Sequence, residues 1–580
     1  MYTNIRSVQI LISLLKQYGI KHVVLSPGSR NTPLAHSIEG DDFFDCYSIV
    51  DERSAAYFAL GLAESLDTPV CVSCTAATAT CNYMPAVQEA WERGIQLVAL
   101  TADRDRYSMF HMEDQCIDQV DMYHGYVKKA VDVPAVRDLN DEWYCNRCIN
   151  EAFQAVSHRD KGPVQVNYHM PYSLEEMSEY PVETLPITRK IELLSGDIDW
   201  LSVQSELKKK KRILIMCGSG YKGTDLLRNM LVEFQKRYNC AIVYECYSNV
   251  GCPSFIHEIG LGSVLNQTEL EQLKPDLIIS FGNVYYATIK GRFSAYRSPV
   301  EHWQIAIDGQ LNDGYRLLTK VFECQPELFF ENMVKNMPSI NSASYNMAWR
   351  ERKEAMKLPE LPFTNFSAII ELAKVIPPHS NLHMSVLDAI RLSDYVDFDQ
   401  TVKCFANTGA DGIDGAMSTM LGQGTCNGNL SFLLIGDLSF LYDLNAIINK
   451  LPSNVRIFVI NNYAGAEFHK NFGLENIPTL NLHIAAGHHT KIEQCCSMTK
   501  IEYLSAGNAD ELAVALEQFV KEADHAKLLE VFTDAELDAK TLKKYWSENK
   551  NEDRKQSFKA FLIGLFGRKR IELIKQFIRG

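Results

Sequence analysis

Short, unbroken apolar runs alternate with segments of helical period along almost the whole chain. HVVLS, PVCVSC and IQLVALTA stand in the first third, RILIMCG, AIVYEC and DLIISFG in the second, and VKCFAN, LSFLLIGD and VRIFVINN in the last. Runs that are apolar at nearly every position and too short for a helix predict strands buried on both faces. Separated by amphipathic helices, they predict an α/β protein built on parallel sheets flanked by helices. Two stretches break the rhythm, residues 173–190 (SLEEMSEYPVETLPITRK) and residues 337–363, both carrying prolines and charge. They read as linkers with short helices. The expected organisation is an α/β domain over 1–180, a central α/β domain over 190–340, a third over 360–548, and an extension over 549–580.

In open parallel sheets a ligand sits beyond the carboxyl ends of the strands, so the residues just after the apolar runs carry the functional information. Pro27-Gly28-Ser29-Arg30-Asn31-Thr32-Pro33 follows HVVLS, Asp51-Glu52-Arg53 follows CYSIV, and IQLVALTA runs into Asp103-Arg104. In the last third, Gly436-Asp437-Leu438-Ser439 and Asn461-Asn462 follow LLI and IFVI. Asp437 and Asn462 stand 25 positions apart with the helix-like LYDLNAIINKL between them. The result is a βαβ unit with an oxygen donor at each of two strand ends. Magnesium takes a tight octahedron of hard oxygens, only a few of them from protein. The Asp437 carboxylate, the Asn462 amide oxygen and a main-chain carbonyl, that of Ala464, leave room for two diphosphate oxygens and a water. Gly436 lets the backbone approach a phosphate closely. Two ordinary Asx turns closing two strands would give the same strings. No G-x-x-x-x-G-K-[ST] string is present, which argues against a Walker-type nucleotide site.

Composition narrows the partners. A chain of 580 residues that is 46% hydrophobic and 22% charged is neither wholly disordered nor collagen-like nor a coiled coil. Its net charge of −14 argues against nucleic acid held over a broad surface. The charge is uneven: Thr541 to Gly580 carries 11 Lys and Arg against 4 Asp and Glu. Within that tail Phe558, Phe561, Leu562, Leu565 and Phe566 fall at helical spacing beside Arg568, Lys569 and Arg570. Such a segment docks on the acidic body or on a second copy, or lies on an anionic membrane surface. No transmembrane-length apolar run occurs, and the N-terminal amphipathic stretch contains Lys16 and no cleavage site, as expected of a cytoplasmic protein. Sixteen cysteines without a dense framework fit reduced thiols. Cys145 and Cys148 read as two half-buried thiols one helical turn apart, and His483, His488 and His489 as a loop cluster rather than a metal site.

The Gly-Asp and Asn-Asn pair at this separation resembles the diphosphate-binding motif of thiamine-diphosphate enzymes, and the three-domain layout resembles their decarboxylase-like branch. The closer resemblance is to the 2-succinyl-5-enolpyruvyl-6-hydroxy-3-cyclohexene-1-carboxylate synthases of menaquinone biosynthesis. It is carried by SPGSRNTPL (26–34), DERSAAYFALGLA (51–63), NYMPAVQEA (82–90), LTADR (100–104), DQCIDQ (114–119), GADGIDGAMST (409–419) and GDLSFLYDLNA (436–446). It spans roughly residues 1 to 545 and is weakest in the central third.

The resemblance implies thiamine diphosphate with Mg²⁺ or Mn²⁺, held by Gly412, Ile413, Gly436, Leu438, Ser439 and Asn462, with Asp437, Asn462 and Ala464 on the metal. It places Glu52 against the aminopyrimidine ring, a role that calls for a largely apolar pocket, and makes Ile413 the wedge that bends the cofactor. It implies decarboxylation of a 2-oxo acid, 2-oxoglutarate in these synthases, and transfer of the resulting carbanion to isochorismate. Ser29, Arg30, Arg104 and Gln115 match anion-binding positions for the acceptor, Ser385 and Arg391 for the donor, and Lys290 and Arg292 lie near a basic pair of the central domain. A homodimer or homotetramer is implied as well. The chain departs from the pattern at Asn407-Thr408-Gly409, where an arginine is lost, at Arg391, two positions late, at Thr75-Ala76-Ala77-Thr78, where the family carries TSGT, at Asp105, and at Glu467, where the family carries an apolar residue. An added carboxylate and a lost guanidinium would weaken a dianionic donor by roughly 2 to 5 kcal/mol per unpaired buried charge. A related carboligase with another 2-oxo acid donor or acceptor, and a non-catalytic cofactor-binding homologue, are the alternative readings.

Overall fold

The computed structural model describes the chain except residues 160, 171–172, 222, 258–259, 285–287, 295–299, 340–342, 359, 410, 449–450, 471–472, 498 and 552–580. The basic C-terminal extension thus lies outside the described residues. All nine apolar runs form parallel strands. The chain makes two compact units, Met1–Ser195 with Gly309–Val321, and Gly196–Asp308 with Phe322–Gly580. Five strands of the central seven-stranded sheet share the second unit with the last sheet.

The first unit holds six parallel strands in the order Asp45–Ser48, His22–Leu25, Val70–Cys74, Leu97–Asp103, Val164–His169, Lys129–Val133. Helices Arg6–Tyr18 and Leu139–Ala155 cover one face, burying Val8, Leu11, Leu15, Ile149 and Phe153 against Val98, Leu100 and Val166. Gly19 ends the first of these helices in the left-handed region at φ 72°, its N–H closing on the carbonyls of Leu15 and Lys16. Helices Glu52–Leu66 and Met84–Arg93 cover the other face through a row of alanines. Cys145 and Cys148 are both buried in this core, deeper than the half-burial expected.

In the second unit the central strands run Ile256–His257, Cys240–Tyr244, Ile213–Cys217, Leu277–Phe281, Glu301–Ile305, all parallel. The last sheet runs Lys403–Ala406, Asn381–Met384, Ser431–Gly436, Val455–Asn461, Lys527–Phe532, Glu502–Ala506, also parallel. Its strand order is that of the first unit's sheet, a repetition of topology without a short sequence repeat. Phe432, Leu434 and Phe458 face the helices Asn365–Val375, Ala509–Phe519 and Ala535–Asn549, while Leu433, Ile435 and Val459 face Ala416–Asn427. At roughly 1.5–3 kcal/mol per buried large apolar side chain, both faces must be covered, which is why these strands read as continuous apolar runs.

The two expected linkers differ from one another. Residues 173–190 hold only the short helix Leu174–Met177. The second carries the helix Ser344–Glu354, packed into its unit by the buried Tyr345 and Trp349, with the Tyr345 hydroxyl donating to the Leu273 carbonyl at 2.7 Å. Two aromatic residues at i and i+4 make that segment part of the core.

The turn after His22–Leu25 depends on a close approach: a Cβ on Gly28 would lie 2.3 Å from Thr75 Cβ. Gly28→Ala is therefore expected to destabilise the first unit by about 1–3 kcal/mol, read as a lowered urea midpoint, with partial recovery in the double variant Gly28→Ala, Thr75→Gly.

Candidate active site

The strands Ser431–Gly436 and Val455–Asn461 are direct neighbours, with Gly436 opposite Ile460. Their carboxyl ends open into a cavity of about 320 Å³ in the second unit. Ile413, Gly436, Asp437, Leu438, Ser439, Asn462, Ala464 and Ser385 all line it, and Gly412 precedes Ile413 in the same wall segment. Nothing lies within 4 Å of where a Cβ on Gly436 would stand, so the backbone is bare towards the cavity.

The oxygen donors are held from behind. Asp437 Oδ1 accepts from the Leu438 amide at 2.6 Å, while Asp437 Oδ2 is buried without a hydrogen bond; His488 Nε2 is 3.3 Å away but not aligned to donate. An orphaned, buried carboxylate oxygen facing a cavity is costly unless a cation meets it. Asn462 Nδ2 donates to Asp538 Oδ2 at 3.1 Å, and its amide oxygen accepts from the Ala464 N–H at 3.3 Å, which leaves that oxygen one lone pair able to take a metal. Tyr463 adopts a left-handed conformation, φ 62°, and His488 N–H donates to its carbonyl at 2.9 Å, turning Ala464 back to the cavity. Ser439 donates to the Ile413 carbonyl and fixes the half-buried isoleucine at the wall. These residues fit a hard cation bridging a diphosphate.

Two of these supports were not foreseen from sequence. Asp538 also accepts from Thr533 Oγ1 at 2.8 Å and from the Asn365 amide at 2.9 Å, and burial, partly offset by those hydrogen bonds, raises its carboxyl to about 6. It lies in the helix Ala535–Asn549, 76 positions from Asn462, beyond the reach of any local motif. His488, read as part of a loop cluster, stands beside Asp437.

Glu467 does not stand alone. On the helix Ala466–Lys470 it pairs with Lys470 Nζ at 2.8 Å and with Arg391, while Lys470 also pairs with Asp388. Burial would raise the Glu467 carboxyl, but Lys470 and Arg391 outweigh it and hold it at about 2. Burial likewise works against the Lys470 charge, and Asp388 and Glu467 override it. The added carboxylate thus arrives with its own counter-ions, two acids against two bases, and the penalty expected for an unpaired charge does not arise. The i, i+3 spacing of Glu467 and Lys470 was the available signal. Arg391 does not itself line the cavity but pairs with Glu467, which does. Leu387, at φ 66°, makes the strained turn that brings Asp388 to the cavity.

The other expected residues fall elsewhere. Lys290 donates to the Val284 carbonyl at 2.6 Å and Arg292 to the Gly262 carbonyl at 2.9 Å, one hydrogen bond each to main chain in the central layer. In the first unit, Ser29 and Gln115 are exposed, and Arg30 and Arg104 are buried at the carboxyl ends of the sheet. Arg104 pairs with Asp114 at 2.6 Å. Glu52 begins the helix Glu52–Leu66, which Asp51 caps by accepting from the Ser54 amide at 2.9 Å. It is half-buried, with the exposed Val50, Tyr57 and Phe58 nearby in sequence. One chain supplies only part of the apolar surroundings its expected role requires. Asp105 caps the turn Arg106–Ser108 by accepting from the Tyr107 amide.

Residues 5–122 match the family described as thiamine pyrophosphate enzyme, N-terminal TPP binding domain. The 2-succinyl-5-enolpyruvyl-6-hydroxy-3-cyclohexene-1-carboxylate synthase of Bacteroides fragilis is 32% identical over 95% of this chain and 100% of its own length. That of Bacteroides thetaiotaomicron is 33% identical over the same shares, and that of Flavobacterium johnsoniae 30% over 94% and 99%. Among solved structures, benzoylformate decarboxylase from Polynucleobacter necessarius aligns with 92% of this chain and 99% of that one, at 16% identity and a TM-score of 0.43.

Two outcomes follow from the cavity. Asp437→Ala is expected to weaken Mg²⁺-dependent thiamine diphosphate binding by at least about two orders of magnitude, read by calorimetry on a variant whose circular dichroism is unchanged. Asp538 binds its proton more tightly folded than unfolded, so its contribution to stability is fully present below the unfolded carboxyl pKa, about 3.9, and is lost as pH rises from there through the folded value of about 6. The unfolding free energy of the wild type minus that of Asp538→Asn should fall by about 1 kcal/mol between about pH 5 and about pH 7.

Proposed function

The chain belongs to the 2-succinyl-5-enolpyruvyl-6-hydroxy-3-cyclohexene-1-carboxylate synthase family of thiamine-diphosphate-dependent enzymes, and from that premise we propose that it decarboxylates 2-oxoglutarate and joins the remaining four-carbon unit to isochorismate. The observation that carries the reading is the corner of Gly436, Asp437 and Asn462 at two adjacent strand ends, with a buried carboxylate oxygen left without a donor. When bound, thiamine diphosphate supplies the electron sink for loss of carbon dioxide.

The chain's residues do the rest. Asp437, Asn462 and the Ala464 carbonyl would hold Mg²⁺ or Mn²⁺ against the diphosphate, and Ile413, fixed by Ser439, would support the bent cofactor. Glu52 would exchange a proton with the aminopyrimidine. Arg30 and Arg104, buried at the strand ends of the first unit, would attract the acceptor's carboxylates, with Ser29 and Gln115 at the exposed rim. The half-open surroundings of Glu52, beside the exposed Tyr57 and Phe58, support a homodimer or homotetramer in which a second copy completes the pocket. Among the described residues no helix is long and apolar enough to cross a membrane, and we place the enzyme in the cytoplasm.

A second reading rests on the cluster of Asp388, Arg391, Glu467 and Lys470. Its cations are already matched by carboxylates, so a donor with less charge than 2-oxoglutarate fits the same wall. Purified enzyme with thiamine diphosphate and Mg²⁺, given a panel of 2-oxo acids with and without isochorismate, separates the readings by product mass. The proposed reaction predicts the succinyl adduct as the main product from 2-oxoglutarate and isochorismate. Faster consumption of another 2-oxo acid would establish the second reading, and cofactor binding without carbon dioxide release from any of them would reject both. Glu52→Gln should lower kcat by about 10²- to 10⁴-fold while the cofactor still binds.

A further inference from the structure

Away from the cofactor cavity, the second unit contains a buried group of unlike ligands. Cys246 follows the strand Cys240–Tyr244, His257 lies on the strand paired with it, and Asp394 caps the helix Asp388–Ser393. One ligand atom from each, a thiol sulfur, an imidazole nitrogen and a carboxylate oxygen, lie within 4.8 Å of one another, and all three residues are buried.

The surroundings of the three point the same way. Asp394 Oδ1 accepts from the Cys246 amide at 3.1 Å and stands 3.1 Å from His257 Nε2, whereas Asp394 Oδ2, also buried, meets no donor. A simple imidazolium–carboxylate pair would account for Oδ1 and leave Oδ2 without a partner, while the thiol donates to Met384 Sδ. On the far side of the ring, His257 Nδ1 is 3.5 Å from Asp397 Oδ1, which also faces Lys353 Nζ at 3.7 Å. A carboxylate behind one ring nitrogen orients the other towards a metal, the usual support for a ligating histidine. Two more sulfur atoms are close: Cys404 within hydrogen-bonding reach of the Cys246 thiol, and Met384 Sδ 3.9 Å from Cys246 Sγ. The backbone of Cys404 is tied to Asn249, whose amide donates to its carbonyl at 2.9 Å and accepts from its N–H at 2.8 Å.

We propose that Cys246, His257 and Asp394 form a binding site for a borderline-soft divalent cation of the zinc type, separate from the hard-cation corner at Asp437 and Asn462. Thiolate, imidazole and carboxylate together suit zinc, and not magnesium, which seeks oxygen alone. Cys404 becomes the fourth ligand by a change of side-chain rotamer, and otherwise a water fills the position. Binding releases the thiol proton of Cys246 and any proton on His257 Nε2 to solvent. The site would brace the turn after Cys240–Tyr244 against the helix Asp388–Ser393, whose first residue lines the cofactor cavity.

The test uses the full chain with thiamine diphosphate and Mg²⁺ present, equilibrated with zinc, freed of loose metal and analysed by elemental mass spectrometry. Wild type is expected to retain about one zinc per chain, and Cys246→Ser and His257→Gln each to lose at least about 100-fold in zinc affinity; Asp397→Asn should lose about 10- to 100-fold. Cobalt in place of zinc should give a thiolate-to-metal charge-transfer absorption that Cys246→Ser abolishes. Folded wild type retaining less than about a tenth of an equivalent, or zinc retention unchanged in both Cys246→Ser and His257→Gln, overturns the proposal. Should those variants fail to fold, the cobalt spectrum of the wild type decides, the charge-transfer band supporting the site and its absence overturning it.

Discussion

The pairing of Ser431–Gly436 with Val455–Asn461 is the constraint on which the cavity depends. In a parallel sheet two neighbouring strands end side by side, so Asp437 and Asn462 become neighbours through backbone register rather than through any attraction of their own. What the side chains add is orientation. Asp538 accepts from the Asn462 amide nitrogen and fixes the amide so that its oxygen, which also accepts from the Ala464 N–H, keeps a lone pair, and the Leu438 amide takes one Asp437 oxygen and leaves the other buried without a donor. A corner of this kind is unfavourable while empty of charge and favourable once a cation and its anionic partner enter, so its cost to folding is returned on binding.

The wall beside this corner shows how a departure from family pattern is absorbed. Glu467 and Asp388 would each be expensive as lone buried carboxylates, and Lys470, almost wholly buried between them, would be expensive as a lone ammonium. Together with Arg391 they form a network in which removing any single member strands another. Substitutions there act on neighbours before they act on substrate, and the network holds the strained turn at Leu387 against the cavity.

Much of the fold was legible because strands buried on both faces leave continuous apolar runs, and all nine such runs are strands. Others were harder to see: Lys129–Val133 and Glu502–Ala506 are edge strands with partly exposed, mixed-polarity sequences, and nothing in their periodicity separates them from loops. The residues that line the cavity were legible because they follow strand ends within a few positions. Asp538, Asn365 and His488 were not, since each reaches the site from a distant segment and carries no local motif. Lys290 and Arg292, read from their position near a basic pair, each tie one donor to a main-chain carbonyl, a contact the sequence does not show. The short helix expected in the second linker is there as Ser344–Glu354, but its packing was not legible, because its charge concealed two aromatic residues that point inward.

The central claim is that Asp437 and Asn462 form a cation-dependent diphosphate site. It is tested most directly by calorimetric titration of the wild-type chain with thiamine diphosphate, in the presence of Mg²⁺ and again after chelation of all divalent metal. The account predicts saturable binding with Mg²⁺ that is lost on chelation and restored by adding the metal back. Equal affinity in both conditions would contradict it.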